Sequence, residues 1–271
     1  MKISQTSSMS MKSIKNISLF LLLNTSTLLN AQEKESTIQT DRPDMTEASS
    51  TVPRGFVQIE TGAIFESLEK NHIKTESFTY NTMLIKYGVF ENFELRLGWD
   101  FQENITYINS QQINDVKSGL SPFLFGMKVY ITEEKGWIPE VSLIGHIFLP
   151  FTASTDYRPE TTGVDFRFSL SHTLSEKSSL GYNLGMAWGN DSPEASYIYT
   201  LAYGYSISNR FGAYVELYGD LPEDNMANHY WDAGMTYLVS DNFQLDISFG
   251  TSITEGQDLL LSAGASFRLP I

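Results

Sequence analysis

The sequence predicts an all-β fold: a transmembrane antiparallel β-barrel of about twelve strands, with short periplasmic turns and longer extracellular loops. Three observations carry this. Apolar and polar residues alternate with a period of two over segments of about ten residues, the spacing that sends successive side chains to opposite faces of a strand. Short and long connections alternate between the segments, and the number of segments is even. The polar face is built largely from Gly, Ser, Thr and Asn, as in Gly181, Asn183, Gly185, Ala187 and Thr200, Ala202, Gly204, Ser206, which suits a crowded lumen better than a solvated surface.

Taken in order, residues 1–31 read as a secretory signal peptide. Lys2, Lys12 and Lys15 form a basic region, Ile17 to Leu23 an apolar run, and Leu29-Asn30-Ala31 a cleavage site before Gln32. The rival, an uncleaved anchor helix, needs about 20 mostly apolar residues, and Asn24, Thr25, Ser26 and Thr27 interrupt this one early. Residues 32–54 form a polar lead, periplasmic or inserted in the lumen, and 55–271 form the barrel. Its segments fall near 56–66, 77–88, 93–102, 120–131, 139–149, 163–174, 179–189, 196–207, 211–220, 228–239, 243–252 and 259–269. The clearest sets Phe93, Leu95, Leu97, Trp99 and Phe101 against Glu94, Arg96, Gly98, Asp100 and Gln102. In the second segment Asn81 and Lys86 fall on opposite faces and the pattern weakens. Short turns are expected at 91–92, 133–136, 175–178, 208–210 and 240–242, and long links at 67–76, 103–119, 150–162, 190–195, 221–227 and 253–258.

A secreted sandwich would alternate too. Two features favour the membrane: soluble strands average about five or six residues, and aromatics gather near both strand ends. Tyr87, Phe93, Tyr205, Phe211 and Tyr237 lie toward the short turns, and Phe78, Trp99, Phe123, Trp188 and Trp231 toward the long loops. That placement predicts the cell outer membrane, with outer-membrane lipid, lipopolysaccharide and the barrel-assembly machinery as partners.

Composition removes other classes. The chain has 271 residues, no cysteine, and 18 Lys+Arg against 32 Asp+Glu, a formal net charge of -14. Disulfide frameworks, thiolate metal sites and a basic nucleic-acid face are excluded. Its 18% charged residues fall below the roughly 25% of soluble domains.

Assigning the apolar parity to lipid places Glu60, Glu94, Asp100, Glu140, Asp165, Glu216, Asp232 and Asp246 inside, with Lys86, Arg96, Lys128, Arg167 and Arg268. They read as an ion-pair network bracing the periplasmic half, as a selectivity region for polar or cationic solutes, or as both. In the lead, Asp41, Arg42, Asp44 and Glu47 are expected either to cap the barrel from the periplasm or to enter the lumen. There they would pair with Arg96, Lys128, Arg167 and the neighbouring acids as a plug or gate.

The lead also carries the most specific string, Thr40-Asp41-Arg42-Pro43-Asp44 with Met45, Thr46 and Glu47, then Val52-Pro53-Arg54-Gly55 before Phe56 to Gly62. It resembles the opening of the MetA-pathway of phenol degradation family, outer-membrane proteins often labelled transporters. Tyr87-Gly88, Phe93 to Leu97 and the strand ending Leu149-Pro150 extend the resemblance over roughly 40–271. The resemblance implies an outer-membrane channel for small solutes, hydrophobic or aromatic ones among them. The closing Phe267 to Ile271 lacks the terminal aromatic of many such barrels.

Two other readings stand beside the channel: a structural or interaction barrel with a filled lumen, and a lipid-modifying enzyme. Against the enzyme, Ser171 and His172 are strand neighbours and face opposite sides, while His72, His146 and His229 are scattered. No cofactor or metal is expected. The loop acids Glu223, Asp224 and Glu255 read as solvated charge or as a calcium or bridged-lipopolysaccharide contact, and the loop tyrosines Tyr107, Tyr157 and Tyr197 as surface or as contacts to an apolar or glycan ligand.

Overall fold

The computed structural model describes residues 37–271, apart from Asn114, Asn190, Ser192 and Glu255. The expected signal peptide lies outside the described residues. Twelve long strands follow one another: β1 (Phe56–Lys70), β2 (Ile73–Phe90), β3 (Phe93–Ile108), β4 (Phe123–Thr132), β5 (Glu140–Leu149), β6 (Gly163–Ser175), β7 (Ser178–Trp188), β8 (Ala195–Ser206), β9 (Phe211–Pro222), β10 (Asn228–Ser240), β11 (Phe243–Ser252) and β12 (Leu259–Pro270). Each pairs antiparallel with its sequence neighbours, and β12 pairs with β1, from Phe56↔Pro270 to Ser67↔Leu259. Closure removes the edge strands and leaves ladder groups paired around the ring, as lipid requires.

The burial pattern is inside out. Phe125, Phe166, Phe168, Leu217, Ile247 and Phe249 are exposed on the outer face, whereas Gln58, Glu60, Lys86, Glu94, Arg96, Lys128 and Glu216 are at most 2% exposed. Aromatic pairs sit at both levels: Phe211 and Tyr237 at 4.7 Å near the short turns, Trp99 and Phe123 at 5.2 Å near the long loops.

Three expectations about the long-loop side are corrected. The link expected over 67–76 is a tight turn at Asn71 and His72, both with positive φ (52° and 65°), so β1 and β2 run on to 15 and 18 residues. Asn at such a turn tolerates the left-handed conformation. A similar turn at Asn109 and Ser110 extends β3, and short strands Gln111–Gln112 and Lys117–Leu120 pair back onto it. The fourth strand begins at Phe123 rather than 120, because Pro122 offers no N–H to the ladder.

The weak pattern of β2 has a cause. Asn81 pairs with Phe101 and Thr79 with Gln102, so Tyr80 is an extra residue opposite the regular β3. This β-bulge switches the parity of the strand, and Lys86, assigned to the lumen by the sequence, points there with Asn81 on the other face.

Candidate functional site

Ile38 to Arg54 runs inside the barrel before Gly55 delivers the chain to β1. Ile38 N donates to Asp241 O in the β10–β11 turn (2.8 Å), which fixes the entry at the short-turn mouth. From there the segment bonds to side chains of every strand except β10 among the described residues.

Asp41 is the hub. Its Oδ2 accepts from Lys86 Nζ at 2.7 Å and Arg96 Nη2 at 2.8 Å, and its Oδ1 from Ala48 N at 2.8 Å and Lys128 Nζ at 3.4 Å. Glu60 receives Asp41 N (3.0 Å) and pairs with Lys86 at 2.5 Å, while Glu94 receives Val52 N at 2.8 Å. Burial opposes ionisation of Asp41, but Lys128, Lys86 and Arg96 together outweigh it and hold the carboxyl well below its usual range. Glu47, desolvated too, is drawn down to about 2 by Arg96 and Arg167, which lie 2.5 and 3.5 Å from its oxygens.

Arg42 lies flat across β1 and β12, where a Cβ on Gly62 or Gly264 would strike its guanidinium. Its Nη2 reaches Asp246 Oδ1 at 3.0 Å and Ser262 Oγ at 2.9 Å, and its Nη1 reaches Thr82 at 3.2 Å. Glu216 captures the far bend of the segment, accepting Met45 N at 2.7 Å and Thr46 Oγ1 at 2.5 Å. Asn183 bonds both Glu47 N and Glu47 O, and Ser169 and Ser142 donate to the carbonyls of Glu47 and Ser49. Ser49 Oγ donates to Glu140 at 2.6 Å.

Asp44 stands apart. Among the described residues no cation lies within ion-pair distance of it. Burial, then Glu216, then Asp232 and Asp41 push its carboxyl well above the usual range. Asp165 holds Arg167 (3.2 Å) and His146 Nδ1 (3.0 Å). Arg268 lies at the short-turn end, over Phe56 and bonded to Asn242.

The charged partners were assigned to the lumen from the sequence, and the neutral ones were passed over. Lys86, assigned to the lumen with Arg96, lies opposite it there. Neutral groups such as Asn183, Ser169 and Thr200 read as lumen filler, whereas they bind the segment's backbone and hydroxyls.

Space remains on both sides of the segment. An inner chamber of about 480 Å³ is lined by Arg42, Asp44, Met45 and Glu47 against Leu84, Asp100, Leu124, His146, Phe148 and Arg167. It meets an outer chamber of about 780 Å³ toward the long loops, lined by Tyr199, Tyr218, Tyr230 and Gln257; Met45, Thr82, Asp100 and Arg167 border both. Below the segment, a hollow of about 420 Å³ opens among Ile38, Lys177, Arg210, Thr236 and Gln244.

The sequence model of the family described as "Putative MetA-pathway of phenol degradation" matches residues 40–269. No curated protein matches the chain significantly. Among solved structures, an outer membrane channel from Pseudomonas putida F1 superposes with a TM-score of 0.66 at 11% identity, covering 82% of this chain and 98% of that one. The NanC porin gives 0.50 at 10% identity, covering 79% and 100%. The closed twelve-strand barrel is thus that of an outer-membrane protein.

Proposed function

The chain belongs to the MetA-pathway of phenol degradation family, and from that premise we propose that it is an outer-membrane channel for small solutes, gated by its own segment Ile38–Arg54. The observation that carries this is the division of the lumen: two joined chambers end on the segment from the loop side, and a hollow begins beneath it. The segment is held by polar bonds, so water can replace them one by one as it leaves. A plug with an apolar core would have no such substitute.

The solved channel and porin that share the fold support passage of a solute, and the family description makes aromatic compounds the first solutes to test. On this reading the barrel performs no enzymatic chemistry, residues 1–31 are removed on export, and the outer surface meets lipid and lipopolysaccharide after insertion by the assembly machinery. The filled-barrel reading rests on one fact, the anchoring of the segment around nearly the whole circumference. Planar-bilayer recordings separate the two: deletion of residues 33–50 raises the conductance of a gated channel. Silence from both proteins, with heat-modifiable folding intact, would establish the filled barrel instead.

A further inference from the structure

We propose that the inner chamber is a binding site for a small organic ammonium carrying a ring-sized apolar body. The argument begins with what the chamber leaves unmatched. Asp41 and Glu47 are neutralised by Lys86, Lys128, Arg96 and Arg167. Asp44 and Asp100, on facing sides of the same space, have no cation within ion-pair distance among the described residues. Arg42 is the nearest positive field for Asp100, yet both its Nη atoms are bonded elsewhere, to Asp246, Ser262 and Thr82.

A third acceptor comes from a different kind of group. His146 is 7% exposed and lines the chamber. Its Nδ1 lies 3.0 Å from Asp165 Oδ1, and in the tautomer that donates to this carboxylate the lone pair is on Nε2. That Nε2 is buried and has no partner among the described residues. Two carboxyl groups that lack a cation and one bare imidazole nitrogen make a set to which an arriving ammonium supplies the missing charge and donors.

The lining beside Asp100 and His146 is apolar: Leu84, Leu124 and Phe148 share the lumen parity of Lys86, Lys128 and His146 on β2, β4 and β5. Phe148 offers a ring face on which an ammonium is stabilised. At about 480 Å³ the space is of small-molecule size. An aromatic carboxylate would add one more acceptor beside Asp44, Asp100 and His146, while the chamber's cations Arg42, Arg96 and Arg167 are already paired with Asp246, Asp41, Glu47 and Asp165; an unsubstituted hydrocarbon would leave the acceptors unmatched.

This assignment deepens the channel reading and rests on it for the route by which the solute arrives. Its test uses binding, which needs no conduction. The protein, purified from outer membranes in detergent, is titrated calorimetrically with benzylamine, benzyl alcohol and benzoate. Benzylamine is expected to saturate one site with an affinity at least about tenfold above that of benzyl alcohol, and benzoate to give no binding. Asp100→Asn lowers the benzylamine affinity about tenfold and leaves benzyl alcohol unchanged. Equal affinity for benzylamine and benzyl alcohol overturns the site, and that comparison stands on the native barrel even where the variant fails to assemble. Benzylamine binding that ignores Asp100→Asn in a folded barrel overturns it as well. Amine binding in a barrel that never conducts would retain the site and remove the channel; conduction without amine preference would do the reverse.

Discussion

Arg42 Nη2 lies 3.0 Å from Asp246 Oδ1, joining residues 204 positions apart in the chain. The contact pins the entry segment to the barrel wall over two glycines, Gly62 and Gly264, whose missing side chains make the slot. Asp246 is fully covered there and Arg42 12% exposed, so the pair is largely removed from water.

Breaking a buried pair by removing one partner costs about 3–5 kcal/mol, because the other charge is left uncompensated. Arg42→Ala should therefore loosen the docked segment and raise open probability in bilayer recordings, with the barrel still heat-modifiable. Gly264→Ala should act in the same direction while leaving the charge in place, since its new methyl meets only the flexible end of Arg42.

The carboxylates of the segment predict an unusual pH response. Asp41 and Glu47 have lowered pKa values in the docked state, so their contribution is full above the usual carboxylate range and is lost only as pH falls far below it, toward about 2 for Glu47. Asp44 has a raised one: it favours docking fully below its ordinary value of 3.8, and this is lost as pH climbs through the raised value. Open probability should rise from acid toward neutral pH, and Asp44→Asn should flatten the rise. An unchanged slope in that variant would place the titrating group elsewhere.

A single residue sets the parity of β2. Deleting Tyr80 removes the bulge and turns one side of the strand over, carrying Lys86 toward lipid or Phe78 toward the lumen. The expected outcome is loss of heat-modifiable barrel from the outer membrane. Tyr80→Ala, which keeps the extra residue, should assemble.

The barrel itself was legible because strand periodicity survives in each segment alone: Phe93 to Gln102 shows both faces without help from any neighbour. Tyr80 was not legible, since a bulge is known only from what lies opposite it. The extended hairpins failed similarly, because Asn71-His72 and Asn109-Ser110 resemble loop residues until the strands around them pair. In the candidate site, charge pointed to Asp41, Glu47, Arg96 and Arg167, yet the sequence has no means to sort partners. Arg42 reaches Asp246 and Ser262 on distant strands, and Asp44 meets acids where a cation was expected.

The central claim is that the segment must leave its seat for the path to open. Thr46 Oγ1 and Thr200 Oγ1 lie 2.6 Å apart, and the chain has no native cysteine to interfere. A Thr46→Cys, Thr200→Cys double variant is recorded in planar bilayers while oxidised, then after reduction on the same membrane. The account predicts that the disulfide abolishes openings and that reductant restores them. Equal current in the two states, with the bond confirmed by mass, would contradict it.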